Sequence, residues 1–448
     1  MLIIMTFLSR PFKSTILLFG LLAIGSINPC YAESEYNPLQ SPEFFKELSA
    51  FSTIYTQIKN YYVDEVDDKT LFENAIKGML EGLDPYSTHL NPVDQADLIE
   101  STTGKFGGLG IVIATQGELI QIISPIDDTP AYRAGLQAGD LILKIDDQEV
   151  SEINLQEGVK LMRGLPGTTV SLTISRAEQT PFAVEIKREI ITITSVRGHL
   201  LDGGIGYIRV SNFQLPSAKL LKEAVEKMTA QNNSKLSSLI LDLRNNPGGA
   251  LSAAVDISDL FIDKSDIVVY TEGRLDSANI HFDAKRGDIL DGAPMIVLIN
   301  EGSASASEIV AGALQDHQRA VIMGQTSFGK GSVQSLIDLE DGYGMKLTTA
   351  RFYTPLGNVI QGKGITPDVI LEIPPENEVA DEEIASEERE LEDHSNEDPA
   401  GLSSKEILER QNTIKEKSNK EVIELLMQDY GIQKAMNHLR TLTRVDTT

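Results

Sequence analysis

The chain predicts an α/β fold, and three observations carry that prediction. Between residues 189 and 374, short apolar runs alternate with stretches of helical spacing, the order expected of strands linked by helices. Two of those runs, LIL (Leu239–Leu241) and PMIVLI (Pro294–Ile299), are apolar throughout, as in strands buried on both faces. Each then breaks into small or turn-forming residues, NNPGG after the first and NEGSAS after the second, before a helical stretch resumes.

The N-terminal stretch reads differently. Arg10 and Lys13 precede the apolar run Ser14–Ile27, and Cys30-Tyr31-Ala32 follows, which is the layout of a secretory signal peptide cut after Ala32. The run is short for a membrane span, and an uncleaved N-terminal anchor is the alternative. Cys30 is the only cysteine, so no intrachain disulfide can form. The net charge of −27 argues against nucleic acid as a partner. The six histidines are scattered without metal-ligand spacing, so no metal site is expected.

Residues 33–101 carry apolar positions at helical spacing, broken at Asp67-Asp68, and end in a turn-rich connector, Asp84–Pro92. Tyr61, Tyr62 and Phe72 are expected in a core or dimer contact, and His89 is expected to be structural. Residues 102–188 hold GGLGIVI (Gly107–Ile113), then PAYRAGLQAGD (Pro130–Asp140), a helix and a last strand. This pattern resembles a PDZ domain. The resemblance implies that a peptide adds a strand beside the one opening at Gly110 and Ile111, with the loop Gly108, Leu109, Gly110 donating N–H groups to its terminal carboxylate. Arg163, at the end of the PDZ-like helix, is expected to reach the core that follows at 189–374.

The core from 189 to 374 concentrates its chemistry in one stretch, Asn300–Gln334. Ser305 falls where a buried strand turns into a helix, and Lys330 falls in a glycine-rich loop after the next strand. A serine hydroxyl needs a base to take its proton, and a lysine serves once desolvation brings its pKa from ~10.4 toward ~7–8. Lys330 has no acidic residue within seven positions on either side, which favours the neutral amine. Gln334 is placed to orient an amine or hydroxyl. The helix opening at Ala306 aims free N–H groups toward Ser305.

Plainer explanations compete. Ser305-Ala-Ser-Glu308 is a capping box. Gly324-x4-Gly329-Lys330 nearly spells a phosphate-binding loop, but Gly331 stands where Ser or Thr would hold magnesium, and SVQSLIDL then alternates as a strand. Ser327-x-x-Lys330 copies another serine–lysine motif that requires a helix. Asp242 is expected as a buried partner of Arg244 or of a turn amide. His317 lies twelve residues along the helix from Ser305, roughly 18 Å away, too far for a Ser–His pair.

SASASE (Ser303–Glu308) and FGKGSVQ (Phe328–Gln334), with DLRNNPGG (Asp242–Gly249), resemble the carboxyl-terminal processing peptidases, also called tail-specific proteases. The resemblance implies a crotonase/ClpP-like spiral α/β core with an inserted PDZ domain and flanking helical segments. It implies Ser305 as nucleophile, Lys330, 25 residues on, as general base, and Gln334 as its support. Oxyanion donors would be Ala306 N–H and either Gly248 or Gly249. The implied activity is a serine endopeptidase that captures protein C-terminal tails and needs no cofactor. A homodimer and an adaptor protein remain open, and the signal peptide together with the resemblance implies export to the periplasm of a Gram-negative source. The expected organisation is a signal peptide (1–32), a helical segment (33–101), a PDZ domain (102–188), the protease core (189–374), an acidic disordered linker (375–401) and a C-terminal helical segment (402–448). The linker holds twelve acidic residues against the single base Arg389 between Glu376 and Asp398. The competing class is a PDZ-bearing scaffold or chaperone on an inactive protease core.

Overall fold

A computed structural model describes residues 2–4, 41–372 and 420–445, with short gaps at 118, 127–128, 138, 177–178 and 193. The expected signal peptide, apart from residues 2–4, and the whole acidic linker lie outside the described residues.

The centre is a six-stranded sheet in the order β11 (Val196–Leu201), β12 (Ile205–Val210), β13 (Ser238–Asp242), β16 (Met295–Ile299), β17 (Val321–Gly324), β20 (Val369–Ile370). All its neighbours are parallel except the β11–β12 hairpin. Every residue of β12, β13 and β16 is buried, which is why Leu239–Leu241 and Met295–Ile299 read as unbroken apolar runs, while Arg209 of β12 and Asp242 of β13 are buried charges. Alternate side chains face opposite layers. Ile208, Leu239, Leu241 and Val297 pack with α6 (Ser217–Asn232), α7 (Leu251–Ser258) and α8 (Ala306–Asp316). Tyr207, Ile240, Ile296 and Leu298 pack instead with the C-terminal helix, α9 (Tyr430–Val445), through Ile432, Ala435, Met436 and Leu439. That helix is therefore part of the core. A buried ion network fixes it: Asp242 accepts from Arg244 Nη2 at 2.6 Å, and Arg244 Nη1 reaches Asp429 at 3.1 Å. Burial opposes the charge on Asp242, and Arg244 and Arg209 overcome it, holding the carboxyl below its usual range.

A second sheet runs β1 (Leu2–Ile4), β18 (Ser332–Asp338), β19 (Gly344–Tyr353), β14 (Ile267–Gly273), β15 (Ile280–Asp283). The connector expected as a turn contributes a strand to it: β2 (Thr88–Leu90) pairs antiparallel with β19, Thr88 opposite Lys346. Ahead of it come α1 (Pro42–Tyr61) and α2 (Asp68–Glu81). Phe72 packs against Phe51 and Tyr55, yet it, Tyr61 and Tyr62 are all exposed, so none of the three lies in the core. His89 stacks on Tyr343 at 5.3 Å, a structural role as expected.

The PDZ-like stretch begins after α3 (Pro92–Thr103). Its ends are stapled together by β3 (Lys105–Gly108) pairing with β10 (Glu189–Thr192). Between them a sheet runs β4 (Ile111–Gln116), β5 (Leu119–Pro125), β6 (Leu141–Ile145), β8 (Thr169–Ser175), β9 (Phe182–Lys187), with β7 (Gln148–Glu149) paired to β6. Short α4 (Pro130–Arg133) and α5 (Leu155–Met162) complete it, the latter started by a capping box between Asn154 and Glu157. Arg163 corrects an expectation. It turns to α3, meeting Glu100 at 3.5 Å and stacking over Phe106 at 4.7 Å, and does not reach the catalytic core.

Candidate active site

Three loops leave the carboxyl ends of adjacent parallel strands, the edge at which open α/β sheets hold ligands. β13 runs into Asp242–Gly249, β16 runs into Asn300–Ser305, and β17 runs into Gln325–Gly331. The separation in sequence disappears because the strands are neighbours.

Ser305 sits at the junction of β16 and α8 with φ 57° and ψ −108°. For a non-glycine residue this is a strained conformation, costing about 1–3 kcal/mol, of the kind that strand-to-helix elbows use to present a nucleophile. The residue is 1% exposed, and its hydroxyl has no hydrogen-bond partner among the described residues. The hydroxyl is thus not spent on capping α8, which removes the plainer explanation of this serine.

Glu308 does the capping instead, from inside. It is fully buried and its two oxygens accept four donors. Oε2 takes Ser305 N–H at 2.7 Å and Lys330 N–H at 2.9 Å. Oε1 takes Ser327 Oγ–H and Gly329 N–H, both at 2.6 Å. An ionised carboxylate satisfies all four, and no neutral side chain of that size can. The lysine loop thus has an acidic neighbour after all, brought from 22 residues upstream, but it grips the backbone rather than the ammonium. Ser327 also accepts from Ile365 N–H at 2.7 Å, so it is not a free hydroxyl.

Lys330 lies in a loop pressed against the 360–364 backbone. A side chain at Gly329 would come within 3.0–3.2 Å of Gly362, Lys363 and Gly364, and its φ of +91° favours glycine. β18 follows at once, so the loop opens no helix and is not a phosphate-binding loop. The Lys330 Nζ stands over the Tyr86 ring, 4.5 Å from its centre. Burial pushes the lysine below its ordinary value, with Lys346 adding to the effect, while Glu308 and Asp84 oppose it. Gln334 is 1% exposed and follows a bulge at Val333/Gln334, a device that re-aims side chains beside active sites. Its Nε2 donates to Ser332 Oγ at 2.9 Å and Thr348 Oγ1 at 3.2 Å.

The loop after β13 completes the corner. A Cβ on Gly248 would lie 2.9 Å from Ser305 Cβ and 3.0 Å from Ala306 N. Its N–H, however, already donates to Asn246 Oδ1 at 2.9 Å. Gly249 N–H and Ala306 N–H make no hydrogen bond among the described residues, so they remain able to donate. His317 bonds Ile267 O at 2.7 Å, away from Ser305.

At the other sheet, β4 is an edge strand, pairing with β5 alone. Leu109 is buried, Gly110 has φ +77°, and both N–H groups lack an acceptor among the described residues. Gly108 belongs to β3, opposite Glu189, and Ile111 opens β4. Such an edge accepts an added strand. Among the described residues no group of side chains could hold a metal ion, and no helix is long and apolar enough to cross a membrane.

Two contributors escaped sequence reasoning. Glu308 was visible only as a capping residue, and Tyr86 carried no signal at all, because each reaches Lys330 across a gap in sequence.

Residues 204–371 match Peptidase family S41, residues 121–176 match a PDZ domain, and residues 29–94 match the N-terminal domain of the activating protease CtpB. The carboxy-terminal-processing protease of Bartonella bacilliformis is 46% identical over 352 residues, covering 78% of this chain and 81% of that protein. The carboxy-terminal processing protease CtpA of Bacillus subtilis is 37% identical over 321 residues, covering 71% and 68%. Among solved structures, the photosystem II D1 C-terminal processing protease aligns over 74% of this chain and 89% of its own, with 30% identity and a TM-score of 0.43.

Proposed function

Because the chain belongs to the carboxyl-terminal processing proteases of peptidase family S41, with their PDZ domain, we propose that it is a Ser305–Lys330 endopeptidase that takes its substrates by their C-terminal tails. The observation that carries this is a buried, strained, unpartnered serine hydroxyl whose backbone N–H shares one Glu308 oxygen with the N–H of a lysine whose pKa is lowered by burial.

In this proposal the tail adds a strand along β4, with its carboxylate on the Leu109 and Gly110 N–H groups. Lys330 leaves the face of Tyr86 and takes the Ser305 proton as Oγ attacks the scissile carbonyl. Such hydrogen bonds are often absent without substrate and form in the Michaelis complex. Ala306 N–H, at the positive end of α8, and Gly249 N–H hold the oxyanion, at about 3–4 kcal/mol per donor. Lys330 then hands its proton to the leaving amine. Water hydrolyses the acyl-enzyme. Gln334 keeps the amine aligned from the bulge on β18. The leader at 1–32 sends the chain to the periplasm, and osmotic-shock fractionation that finds it with cytoplasmic markers would refute that assignment.

The test is an unstructured reporter ending in an apolar C-terminal tail, beside the same reporter with its tail amidated. Wild-type cleavage that Ser305→Ala abolishes and amidation weakens supports both halves of the proposal. Cleavage indifferent to amidation removes carboxylate capture and keeps the protease. Tail binding without cleavage leaves the scaffold.

A further inference from the structure

The Asp84–Leu90 turn belongs to the active site, although it comes from a segment some 240 residues ahead of the lysine. Asp84 ties the turn from within: its Oδ1 accepts Tyr86 N–H and Ser87 N–H at 2.8 Å, and its Oδ2 accepts the Ser87 hydroxyl at 2.8 Å. Ser87 Oγ in turn accepts the Thr348 N–H at 3.1 Å, and Thr348 Oγ1 accepts from Gln334. β2 continues the attachment along β19. The half-buried Tyr86 is thereby held with its ring 4.5 Å from the Lys330 amine. The same turn is linked to the N-terminal arm. His89 stacks on Tyr343, whose hydroxyl donates to Glu73 of α2 at 3.0 Å, with Lys69 Nζ 5.7 Å from the centre of that ring.

We propose that Tyr86 is a positioning residue for the general base: its ring closes the solvent side of the Lys330 pocket, so the amine stays dry and neutral only while the 84–90 turn is docked on β19. This rests on Lys330 being the base. The other elements around the amine supply charges of both signs: Lys346 on β19 disfavours a second cation, while Glu308 on α8 and Asp84 in the turn favour it. Burial is the largest influence on the lysine. Removing the ring admits water and restores part of the hydration that the ammonium lacks, which raises the pKa. The ring face also attracts the ammonium, which acts in the opposite direction. The direction of the shift therefore decides which role the ring plays. A further consequence is that α2, gripping Tyr343, is coupled to the base through His89 and this turn.

The experiment measures kcat/KM against pH for wild type, Tyr86→Ala, Tyr86→Phe and Ser87→Ala, with Ser305→Ala as the reference for background. Tyr86→Ala is expected to move the acid limb up by about one pH unit, a roughly tenfold loss on the rising limb that is recovered at higher pH. Ser87→Ala, which loosens the turn and leaves the ring intact, moves it the same way by less, so the proposal stands even if Tyr86→Ala does not fold. Tyr86→Phe, which keeps the ring, restores the wild-type limb. A merely structural role lowers the plateau and leaves the limb where it was. An unmoved limb, a limb moved down, or an equal shift in Tyr86→Phe overturns the inference. Cleavage by Ser305→Ala would instead overturn the serine mechanism beneath it, so the two failures are told apart.

Discussion

The backbone amides of Ser305 and Lys330 donate to the same atom, Glu308 Oε2, at 2.7 and 2.9 Å. One buried carboxylate therefore sets the spacing between the Ser305 loop and the Lys330 loop. It does so through backbone, leaving the Ser305 hydroxyl and the Lys330 amine unbound by it. The serine's strained φ and ψ persist because this clamp over-determines them.

Replacing Glu308 by Gln is accordingly predicted to be severe despite the small change in shape. The amide turns a donor toward two of the four donors now satisfied. Each orphaned buried donor costs about 1–3 kcal/mol. Thermal unfolding should show a clear loss of stability, and turnover should fall more steeply than stability does, because Ser305 and Lys330 lose their common anchor.

Gly248→Ala tests the approach of the β13 loop to Ser305, the proposed nucleophile. The new methyl would sit 2.8 Å from Ala304 O and 2.9 Å from Ser305 Cβ, at a φ of +107°. A misplacement of about 1 Å near reacting atoms costs roughly 10²-fold in rate. The expected result is a folded protein, by its melting transition, with kcat reduced by about that factor and tail affinity unchanged.

The pH dependence follows from Lys330. Burial and then Lys346 push its pKa down against Glu308 and Asp84. On the proposed mechanism Lys330 acts as the neutral amine, so kcat/KM should rise with pH through this lowered pKa and level off below the ~10.4 of a free lysine. The stability sign runs the same way. Between the lowered folded value and the ordinary unfolded one, the unfolded chain binds the extra proton, so stability contributed at this site rises with pH across that window. Lys330→Met should remove that rise, as read from urea midpoints at several pH values.

Asp429 anchors the C-terminal helix to the sheet through Arg244. Asp429→Ala should destabilise the fold by about 1–3 kcal/mol, since Arg244 keeps Asp242 but loses one buried partner. Denaturant unfolding checks this. A neutral outcome would mean that α9 is held by its apolar face alone.

The central sheet was legible because its inner strands are buried on both faces, and the apolar runs Leu239–Leu241 of β13 and Met295–Ile299 of β16 spell that burial. Ser305, Lys330 and the DLRNNPGG turn were legible because each follows such a strand. What could not be read lies in contacts between distant residues. β2 looks like a turn because it is three residues long and needs β19 to be a strand. Glu308 satisfies a local capping pattern, which conceals its second use on the lysine loop. Gly248 and Gly249 are neighbours in a motif, and only the Asn246 side chain distinguishes their N–H groups. Arg163 sits at the right end of its helix to reach the core, yet finds Asp97 and Glu100 on α3 first.

The most direct test of the Ser–Lys assignment pairs cleavage with binding. Wild type, Ser305→Ala and Lys330→Ala are each given the reporter with an apolar C-terminal tail, and tail affinity is measured alongside turnover. The account predicts that all three bind the tail equally and that only the wild type cuts it. Turnover by Lys330→Ala at neutral pH, at anything near the wild-type rate, would contradict it.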